Sequence, residues 1–422
     1  MDGIYERDGL ELKNMKNMKR TLLITLCIMG IFVASAQAQH LHEHDYPVVT
    51  EENPTIRQLL EEVSADSIEA NIAHLSSYWT RRYDSRYIWE VQDWLVSRYQ
   101  GFGVDTVVLH DFPVPNSDIE TADNIIAIQW GTTKPDEFVV CGAHYDSWNS
   151  DGADPDTIRS PGADDNASGV AGILETARLL SRFTFDRSII YANWSAEEIG
   201  LVGSAAYAKD MAEQDMDIVG YFNLDMTGYL EEGETMRVHL VYVNRDSLLA
   251  NFYYNIGRIY YPDLRISQNW MPWGDSDFSS FNRNGYAALH PFENVYHSSP
   301  YIHTRQDVLG LSVNSIEQSR QFTQLNLGAV ATLAGLNGTS VSENGLTSVV
   351  IYPNPAHDAI HIVAEEGIKK ITVWNVLGQK IESGGMRRDN KLMLDISHYS
   401  PGIYIVGITT ERGCTTQKLL VE

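Results

Sequence analysis

The sequence predicts an α/β fold: a three-layer α/β/α sandwich with a mainly parallel mixed sheet, followed by a small all-β sandwich domain. Three observations support this prediction. The chain has 422 residues, which is too long for one ordinary hydrophobic core. Apolar β-rich segments alternate with helical segments through most of the chain, as in a sheet covered by helices. Beyond residue 348 the pattern changes to short strands separated by turns, which favours a second domain.

Residues 1–38 are predicted to be a signal peptide, with Met15 or Met18 as an alternative start. Basic residues precede an apolar stretch from Thr21 to Val33, which is too short to cross a bilayer. Small residues follow it, so we expect cleavage after Ala38, with an alternative site just before. The mature chain is therefore expected to be exported and to contain no integral membrane segment.

Residues 39–337 are predicted to form the large domain. Residues 39–50 are polar and unpatterned, and we expect a frayed N-terminus there despite three histidines. A helical pattern runs from Thr55 to about Gln100, and further helices are expected over 167–183 and 315–336. Strands are expected over 124–130, 137–143, 188–194, 219–224, 236–243 and 286–289.

Residues 338–348 are polar and contain Gly and Ser, which indicates a linker. The domain that follows, residues 349–422, is predicted to be a β-sandwich. Its strands are expected over 349–352, 359–363, 370–376, 391–396, 402–409 and 417–421.

Composition excludes several classes of partner. Lys and Arg number 31 against 56 Asp and Glu, so the formal net charge is −25 and neither nucleic acid nor an anionic membrane is a natural partner. The chain has 3 cysteines, and only Cys141 and Cys414 lie outside the predicted signal peptide. Because these two belong to different predicted domains, a disulfide framework is excluded.

Polar blocks follow the predicted strands at the points where the strands end. His144, the pair Glu197-Glu198 and Asp225 each follow one strand, and Asp164 lies just before a predicted helix. The carboxyl ends of parallel strands form one edge of a sheet, so these side chains are expected to meet there. Each block alone is typical of a turn or of solvated charge. Together, imidazole and carboxylates indicate a zinc site, and a hydrolytic zinc site also needs a carboxylate off the metal.

These blocks resemble those of the co-catalytic zinc aminopeptidases, metallopeptidase family twenty-eight, over about residues 55–336. The matching motifs are His-Tyr-Asp, Gly-Ala-Asp-Asp-Asn-Ala-Ser-Gly, Glu-Glu-Ile-Gly, Asn-Leu-Asp-Met and His-Thr-Arg-Gln-Asp, in this order. The resemblance implies a secreted dinuclear zinc aminopeptidase that hydrolyses N-terminal residues from peptides with a free N-terminus.

The resemblance also implies five zinc ligands, which are His144, Asp164, Glu198, Asp225 and His303. It assigns His144 and Glu198 to one zinc, and Asp225 and His303 to the other. Asp164 would bridge the two ions, and the peptide bond after it is expected to be cis.

The same resemblance gives roles to acidic residues that do not bind metal. Glu197 would be the general base that takes a proton from the attacking water. Asp146 would accept the ring N–H of His144 and set its tautomer, and Asp307 would do the same for His303.

Two other histidines, His290 and His297, are alternatives to His303 on spacing alone. Only His303 has the Thr and Asp context of the motif, whereas His290 follows a strand-like run and His297 reads as a loop residue.

The predicted substrate pocket departs from the family. The segment 271–281 resembles the family's Ser-Asp-His loop, but Phe278 stands where histidine is usual. Trp273, Asp277 and Tyr301 are the predicted substrate-binding residues, and Trp273 is either an oxyanion donor or an aromatic wall of the pocket. The many aromatic residues near the motifs, such as Trp148, favour an apolar pocket for the first residue.

The last domain resembles, over about residues 347–422, the C-terminal sorting domain of type nine secretion system substrates. The matching blocks begin at Tyr352, Asn375 and Pro401, and the last ends the chain with Lys-Leu-Leu-Val-Glu. The resemblance implies type nine machinery as a partner and export through the periplasm of a Gram-negative bacterium to a secreted or cell-surface location. An accessory or carbohydrate-binding sandwich is the alternative.

Three other functions remain open. A glutaminyl-cyclase-like acyltransferase shares the fold and works with one zinc. A carboxypeptidase or dipeptidase variant would use the same site. A non-catalytic binding module would have lost a ligand or the base, and the sequence lacks none of them.

Overall fold

A computed structural model describes residues 40–152, 154–272, 274–337, 349–364, 367–375, 379–385, 389–410 and 414–422. The predicted signal peptide, the predicted linker 338–348 and Trp273 lie outside these described residues.

The long helical pattern near the N-terminus folds as three helices: α1 (Pro54–Glu61), α2 (Ala65–Ser77) and α3 (Ile88–Gly101). The side chain of Asn53 accepts hydrogen bonds from the first backbone N–H groups of α1, and Ser64 does the same for α2. These caps satisfy donors that have no partner within a helix, and they explain why the pattern breaks where it does.

The described residues of the large domain contain one eight-stranded sheet. Its strands are β1 (Thr106–Pro113), β2 (Thr121–Gln129), β3 (Lys134–His144), β4 (Arg187–Trp194), β5 (Asp217–Asn223), β6 (Arg237–Tyr242), β7 (Arg265–Trp270) and β8 (Ala288–Phe292). They lie in the order β1-β2-β4-β3-β5-β8-β6-β7. Strands β4, β3, β5 and β8 are parallel, whereas β1 and β2 pair antiparallel at one side and β6 pairs antiparallel with β8. The carboxyl ends of the four central strands therefore share one edge.

Helices cover both faces of this sheet. The further helices are α4 (Gly169–Leu180), α5 (Val202–Glu213), α6 (Ser247–Tyr260), α7 (Phe278–Arg283) and α8 (Ile316–Ala334). Helices α1–α4, α6 and α8 contribute to one apolar core, and α5 and α7 contribute to the core on the other face. Central strands covered on both faces are almost continuously buried, as in β4 and β5. The predicted three-layer fold with a mixed sheet is confirmed.

The segment after residue 39 is not frayed, and our expectation there was wrong. His40 contacts Asp246 at 2.7 Å, His42 contacts Asp215 at 3.3 Å, and His44 contacts Asp217 at 2.9 Å. Three imidazole–carboxylate pairs at alternate residues hold this extended segment against the large domain.

The C-terminal strands form two antiparallel sheets, as predicted. They are β9 (Val349–Tyr352), β10 (Ala359–Ala364), β11 (Lys370–Asn375), β12 (Lys380–Gly385), β13 (Lys391–Asp395), β14 (Gly402–Thr409) and β15 (Cys414–Val421). The sheet orders are β13-β10-β9 and β12-β11-β14-β15, with an apolar core of their own. Within the described parts of the chain, no helix combines the length and apolar character needed to cross a membrane.

Candidate active site

Imidazole and carboxylate side chains from four places in the chain converge at the carboxyl edge of the central strands. His144 ends β3, Glu197 and Glu198 follow β4, Asp225 follows β5, and His303 lies between β8 and α8. Asp165, Glu197, Glu198, Asp225 and His303 line a cleft of about 560 Å³, and His144 is buried next to Asp165. The structure thus brings together the residues that the strand-end pattern had placed at one edge.

Asp165, rather than Asp164, lies between the two imidazoles, which corrects the predicted bridge. One carboxylate oxygen of Asp165 is 3.2 Å from Nε2 of His144, and the other is 2.9 Å from Nε2 of His303. Asp164 faces away, and its Oδ1 accepts the N–H of Gly228 at 2.8 Å. Neighbouring side chains in the turn before α4 point in different directions, so the Asp-Asp pair in the sequence did not distinguish them. The cis peptide bond joins Asp165 to Asn166 and not Asp164 to Asp165.

The pairing of the other candidate ligands also differs from the prediction. Asp225 Oδ1 lies 3.4 Å from His144 Nε2, and Glu198 Oε2 lies 2.9 Å from His303 Nε2. His144 is thus grouped with Asp225, and His303 with Glu198, because β5 lies beside β3 while the loop after β4 turns towards His303. The sequence had shown which strand ends carry ligands but not the order of the strands in the sheet.

Asp146 supports both glutamates from beneath. Its two oxygens accept the backbone N–H groups of Glu197 at 3.2 Å and Glu198 at 3.3 Å. Its Oδ1 also lies 3.5 Å from Nδ1 of His144. Asp146 therefore fixes the positions of three candidate site residues at once.

Asp307 does not contact His303 as we expected. It accepts the backbone N–H groups of Asp164 at 2.8 Å and of Asp165 at 3.1 Å. Its carboxylate holds the turn that presents Asp165, which is a different supporting role from setting a histidine tautomer.

A hydrogen-bonded chain holds Asp225 from the opposite side. Ser276 donates to Asp225 Oδ2 at 2.6 Å, Asn223 donates to Ser276 at 2.7 Å, and Asn223 also meets Nδ1 of His290 at 3.0 Å. Ser276 lies in the loop that the family resemblance singled out, although no role for it was predicted. His290 borders the cleft but faces Asn223, while His297 is an exposed loop residue.

Arg81 is a buried cation next to the site, and the sequence did not identify it as a site residue. Its guanidinium donates to the carbonyl oxygens of Tyr145 and Gly162 at 2.8 Å, and also to that of Pro161. Burial lowers its pKa to about 10, against the attraction of the nearby carboxylates. Arg81 and Arg82 look alike in the sequence, and nothing there marks the first as buried.

The carboxylates and imidazoles perturb one another strongly. Burial alone would lower the pKa of His144, but Glu197 and Asp225 raise it well above its usual value. Burial likewise opposes the rise in the pKa of His303, which Asp165 and Glu198 bring to about 10. Burial raises the pKa of Glu198 to about 8. Such perturbation by burial and specific charge partners in a cleft is typical of a functional site.

Backbone strain accumulates at the same place. Ala196, Met226 and His303 have φ values of 57°, 56° and 55°, a region that residues other than glycine rarely occupy. Each of them adjoins or is a candidate site residue. Strained positions of this kind cluster where function requires a particular side-chain direction.

The residues present fit metal cations. Oε1 of Glu198 and Oδ1 of Asp225 are buried and have no hydrogen-bond partner among the described residues. Ligand atoms of His144, Asp165 and Glu198 lie within 4.8 Å of one another, and so do those of His144, Glu197 and Asp225. Imidazole and carboxylate oxygen are ligands that zinc accepts.

Two of the predicted substrate-binding residues, Asp277 and Tyr301, lie outside the cleft. Asp277 is fully buried, does not border the cleft, and was wrongly predicted to contact substrate. Tyr301 packs edge-on against Tyr229, with ring centroids 6.4 Å apart, and does not border the cleft either. The apolar wall of the cleft instead comes from Met226, Val241, Met271, Phe292, Val295 and Ile302. Strands β6 and β8 and the loops after β5, β7 and β8 supply this wall, which local aromatic content did not reveal.

Comparisons with known proteins show which families this chain resembles. A family model described as peptidase family M28 matches residues 124–323, and one described as a secretion system C-terminal sorting domain matches residues 350–422. A probable leucine aminopeptidase of Arthroderma benhamiae is 33% identical over 271 residues, which cover 60% of this chain and 70% of the relative.

Solved structures show the same fold. The LapA aminopeptidase of Legionella pneumophila has a TM-score of 0.60 at 25% identity, over 70% of this chain and 77% of its own. A zinc aminopeptidase from Bacillus subtilis has a TM-score of 0.54 at 18% identity, over 65% of this chain and 96% of its own. A glutaminyl cyclase of Bacteroides thetaiotaomicron has a TM-score of 0.50 at 19% identity, over 64% of this chain and 97% of its own.

Proposed function

This chain belongs to peptidase family M28 and ends in a type nine secretion sorting domain, and we propose that it is a secreted aminopeptidase with two zinc ions. One observation carries the proposal. The two carboxylate oxygens of Asp165 face two different imidazoles, at 3.2 and 2.9 Å. A carboxylate in this position is suited to join two cations.

Two ligand sets follow from the distances. His144 and Asp225 would hold one zinc, Glu198 and His303 would hold the other, and Asp165 would belong to both. Zinc in this site would lower the pKa of a water molecule and polarise the scissile carbonyl group.

Glu197 is the proposed general base. Its side chain lines the cleft, its carboxylate lies within 4.8 Å of ligand atoms of His144 and Asp225, and its backbone is held by Asp146. Burial raises its pKa well above the usual value, against the opposing effect of His144. A carboxylate with a raised pKa can accept a proton from the attacking water and later deliver it to the leaving amine.

The cleft favours peptides with an apolar first residue. Its wall is formed by aliphatic, methionine and phenylalanine side chains, whereas its floor is acidic and suits a free α-amine. The name of the fungal relative, a probable leucine aminopeptidase, agrees with this preference. The proposed product is one free amino acid and a peptide shortened by one residue.

Adjacent glutamates provide a matched test of these roles. Glu197→Gln is expected to keep both zinc ions and to lower kcat for leucyl-anilide hydrolysis about a hundredfold to ten-thousandfold. Glu198→Gln should instead lose zinc, as measured by atomic emission. If Glu197→Gln keeps most of the wild-type rate, Glu197 is not the base, and if it loses zinc like Glu198→Gln, it is a ligand.

The number of zinc ions bound per chain distinguishes the proposed aminopeptidase from the main alternative function. A glutaminyl-cyclase-like acyltransferase would bind one zinc per chain and would release ammonia from peptides beginning with glutamine. We expect two zinc ions and no such release. One zinc with cyclisation activity would replace our proposal by the alternative, and no metal would indicate a binding module.

The predicted signal peptide and the C-terminal sorting domain together suggest the proposed route of export. The mature enzyme would begin after Ala38 and reach the cell surface or medium by way of the periplasm, with the sorting domain as the address.

A further inference from the structure

One face of the C-terminal sandwich is unexpectedly apolar. Along β11 and β14 the side chains alternate, so that Val373 and Val406 enter the core of the sandwich. Trp374 and Ile405, which pair with each other across the two strands, point to the opposite, outer face. The outer face of a free sandwich is normally polar and solvated. Yet Trp374 and Ile405 are only 1% and 6% exposed.

The large domain covers this outer face. Trp374 and Ile405 belong to the same apolar cluster as Trp130 and Phe138, and the indole rings of Trp374 and Trp130 have centroids 4.9 Å apart. Beside them, Nζ of Lys370 lies 3.0 Å from Oδ2 of Asp136. A buried aromatic pair flanked by an ion pair has the anatomy of a small specific interface.

The surrounding residues are adapted to this contact. A Cβ atom on Gly407 would lie 2.4 Å from the Trp374 ring, so only glycine lets the indole lie against the sheet. On the other side, the Trp130 indole N–H donates to Thr106 Oγ1 at 3.1 Å. With its polar atom satisfied within the large domain, the ring of Trp130 is left for apolar packing.

The contact lies far from the proposed active site. Asp136 is near the start of β3 and His144 ends the same strand. At about 3.3 Å per residue, the two are separated by roughly 26 Å along the strand. The sandwich therefore occupies the amino edge of the central strands, whereas the cleft opens at their carboxyl edge.

We propose that the sorting domain docks on the catalytic domain through Trp374, Ile405 and Lys370, and that the two are exported as one particle with an open active site. The partner of this surface is the chain's own large domain, at Trp130 and Asp136. The linker thus joins two domains that are already in contact, and the secretion machinery must recognise the sorting domain through its remaining surface.

Small-angle scattering of the full mature chain tests the docking. The wild type should fit a single docked arrangement, and Trp374→Ala/Ile405→Ser should show a larger radius of gyration. Limited proteolysis should cut the linker of this variant at least several-fold faster. Met393→Ala is the matched control, because Met393 is 65% exposed on the same sandwich, and it should behave as the wild type.

A second pair of variants guards against misfolding of the sandwich. Lys370→Glu should loosen the docking partly, and Asp136→Lys added to it should restore the wild-type scattering. Anilide hydrolysis should be unchanged in every variant, since the contact is remote from the cleft. Wild-type scattering that requires freely moving domains, or linker cleavage that is the same in wild type and double variant, would overturn the proposal.

Discussion

Asp164 and Asp165 are neighbours of identical chemistry in very different surroundings. Burial acts against the charged form of Asp165, but His144 and His303 outweigh it and lower the pKa of Asp165. Asp164 is buried without such partners, and burial together with Asp307 raises its pKa well above the usual value. Asp165 is therefore better suited than Asp164 to be an anionic ligand.

This difference predicts opposite outcomes for the same substitution at the two positions. Asp165→Asn should lose at least one zinc per chain and lower kcat/KM by more than about a hundredfold, because the amide cannot bridge two cations. Asp164→Asn keeps an oxygen that can accept the N–H of Gly228 and should retain both zinc ions and most activity. Atomic emission and leucyl-anilide hydrolysis measure the two effects. The reverse pattern would restore Asp164 as the bridge.

The sequence located the blocks of this site but not the direction of each side chain. The Asp-Asp run was the right block, yet which carboxylate faces the histidines depends on the backbone angles of the turn. Asp307 was found through its motif, but its partners are backbone N–H groups that no motif encodes. Arg81 gave no signal at all, because its role rests on burial under loops that come from distant parts of the chain.

Asp277 has an unfavourable position for a charged group. It is fully buried, and neither of its oxygens has a hydrogen-bond partner among the residues that the structure describes. Burial raises its pKa from 3.8 to about 7, although His144 acts in the opposite direction. A carboxyl group with a raised folded pKa stabilises the fold at low pH, and this stability is lost as the pH rises through about 7.

Asp277→Asn should therefore stabilise the protein at high pH. One pKa unit corresponds to about 1.4 kcal/mol, so the gain in free energy of unfolding at pH 8.5 is on the order of several kcal/mol and is absent near pH 4. Denaturant titration of the zinc-free protein at both pH values measures it. Equal stability of the variant and wild type at pH 8.5 would mean that Asp277 is not charged there.

Among the elements, the central strands and the last helix were predictable from the sequence, whereas the edge strands and three of the helices were not. Strands β3, β4 and β5 contain long buried runs, and helix α8 begins one residue after the predicted start at 315, with Ser315 as its N-cap. The edge strand β7 was missed because it is mostly exposed and carries polar residues without strict alternation. Strand β1, which lies at the opposite edge, and helices α5 to α7 were missed as well.

The N-terminal segment, residues 40–49, is an element that only tertiary contacts define. Alternate side chains from His40 to Tyr46 face the large domain, while those between them are exposed. Tyr46 donates to the carbonyl of Val219 at 2.9 Å and stacks on Phe252. The sequence of a short polar stretch does not predict such contacts, because the carboxylates that pair with its histidines come from residues far along the chain.

Tyr46 is expected to anchor this segment. Tyr46→Ala should lower the free energy of unfolding by about 2 kcal/mol, through lost packing and one lost hydrogen bond. Tyr46→Phe, which removes only the hydroxyl, should cost about 1 kcal/mol. Kinetics of anilide hydrolysis should be unchanged in both variants. If Tyr46→Ala is as stable as the wild type, the segment is frayed in solution after all.

At the scale of the whole molecule, the sheet separates two activities. The carboxyl edge of its central strands carries the proposed catalytic site, and the amino edge carries the sorting domain. Residues 349–422 contain 8 acidic and 8 basic residues, so the net charge of −25 is carried by the rest of the chain. Four of the carboxylates of the large domain, those of Asp165, Glu197, Glu198 and Asp225, lie together in the cleft. The stability of the large domain must therefore depend on what balances those carboxylates.

In the metal-free protein, bound protons must reduce the repulsion among these carboxylates. The folded pKa of Glu198 is raised to about 8 and that of Asp307 to about 6, both chiefly by burial. Each of these groups stabilises the fold fully below its unfolded pKa and loses that contribution as the pH rises through its folded pKa. The pKa of His303 is raised from 6.5 to about 10, so its contribution is fully present below about pH 6.5 and is lost as the pH rises to about 10. The metal-free protein should thus become steadily less stable between about pH 5 and pH 9.

Zinc removal should consequently matter more at high pH than at low pH. Bound zinc requires deprotonated ligands, so its affinity rises with pH while the metal-free fold weakens. The difference in Tm between zinc-loaded and chelator-treated protein should therefore widen by several degrees from pH 5.5 to pH 8.5. Scanning calorimetry of both forms measures it, and Asp165→Asn serves as the control, because a variant that binds fewer zinc ions should show a smaller change in Tm on chelation. A gap that stays constant with pH would mean that protons and zinc do not compete for the carboxylates of this cleft.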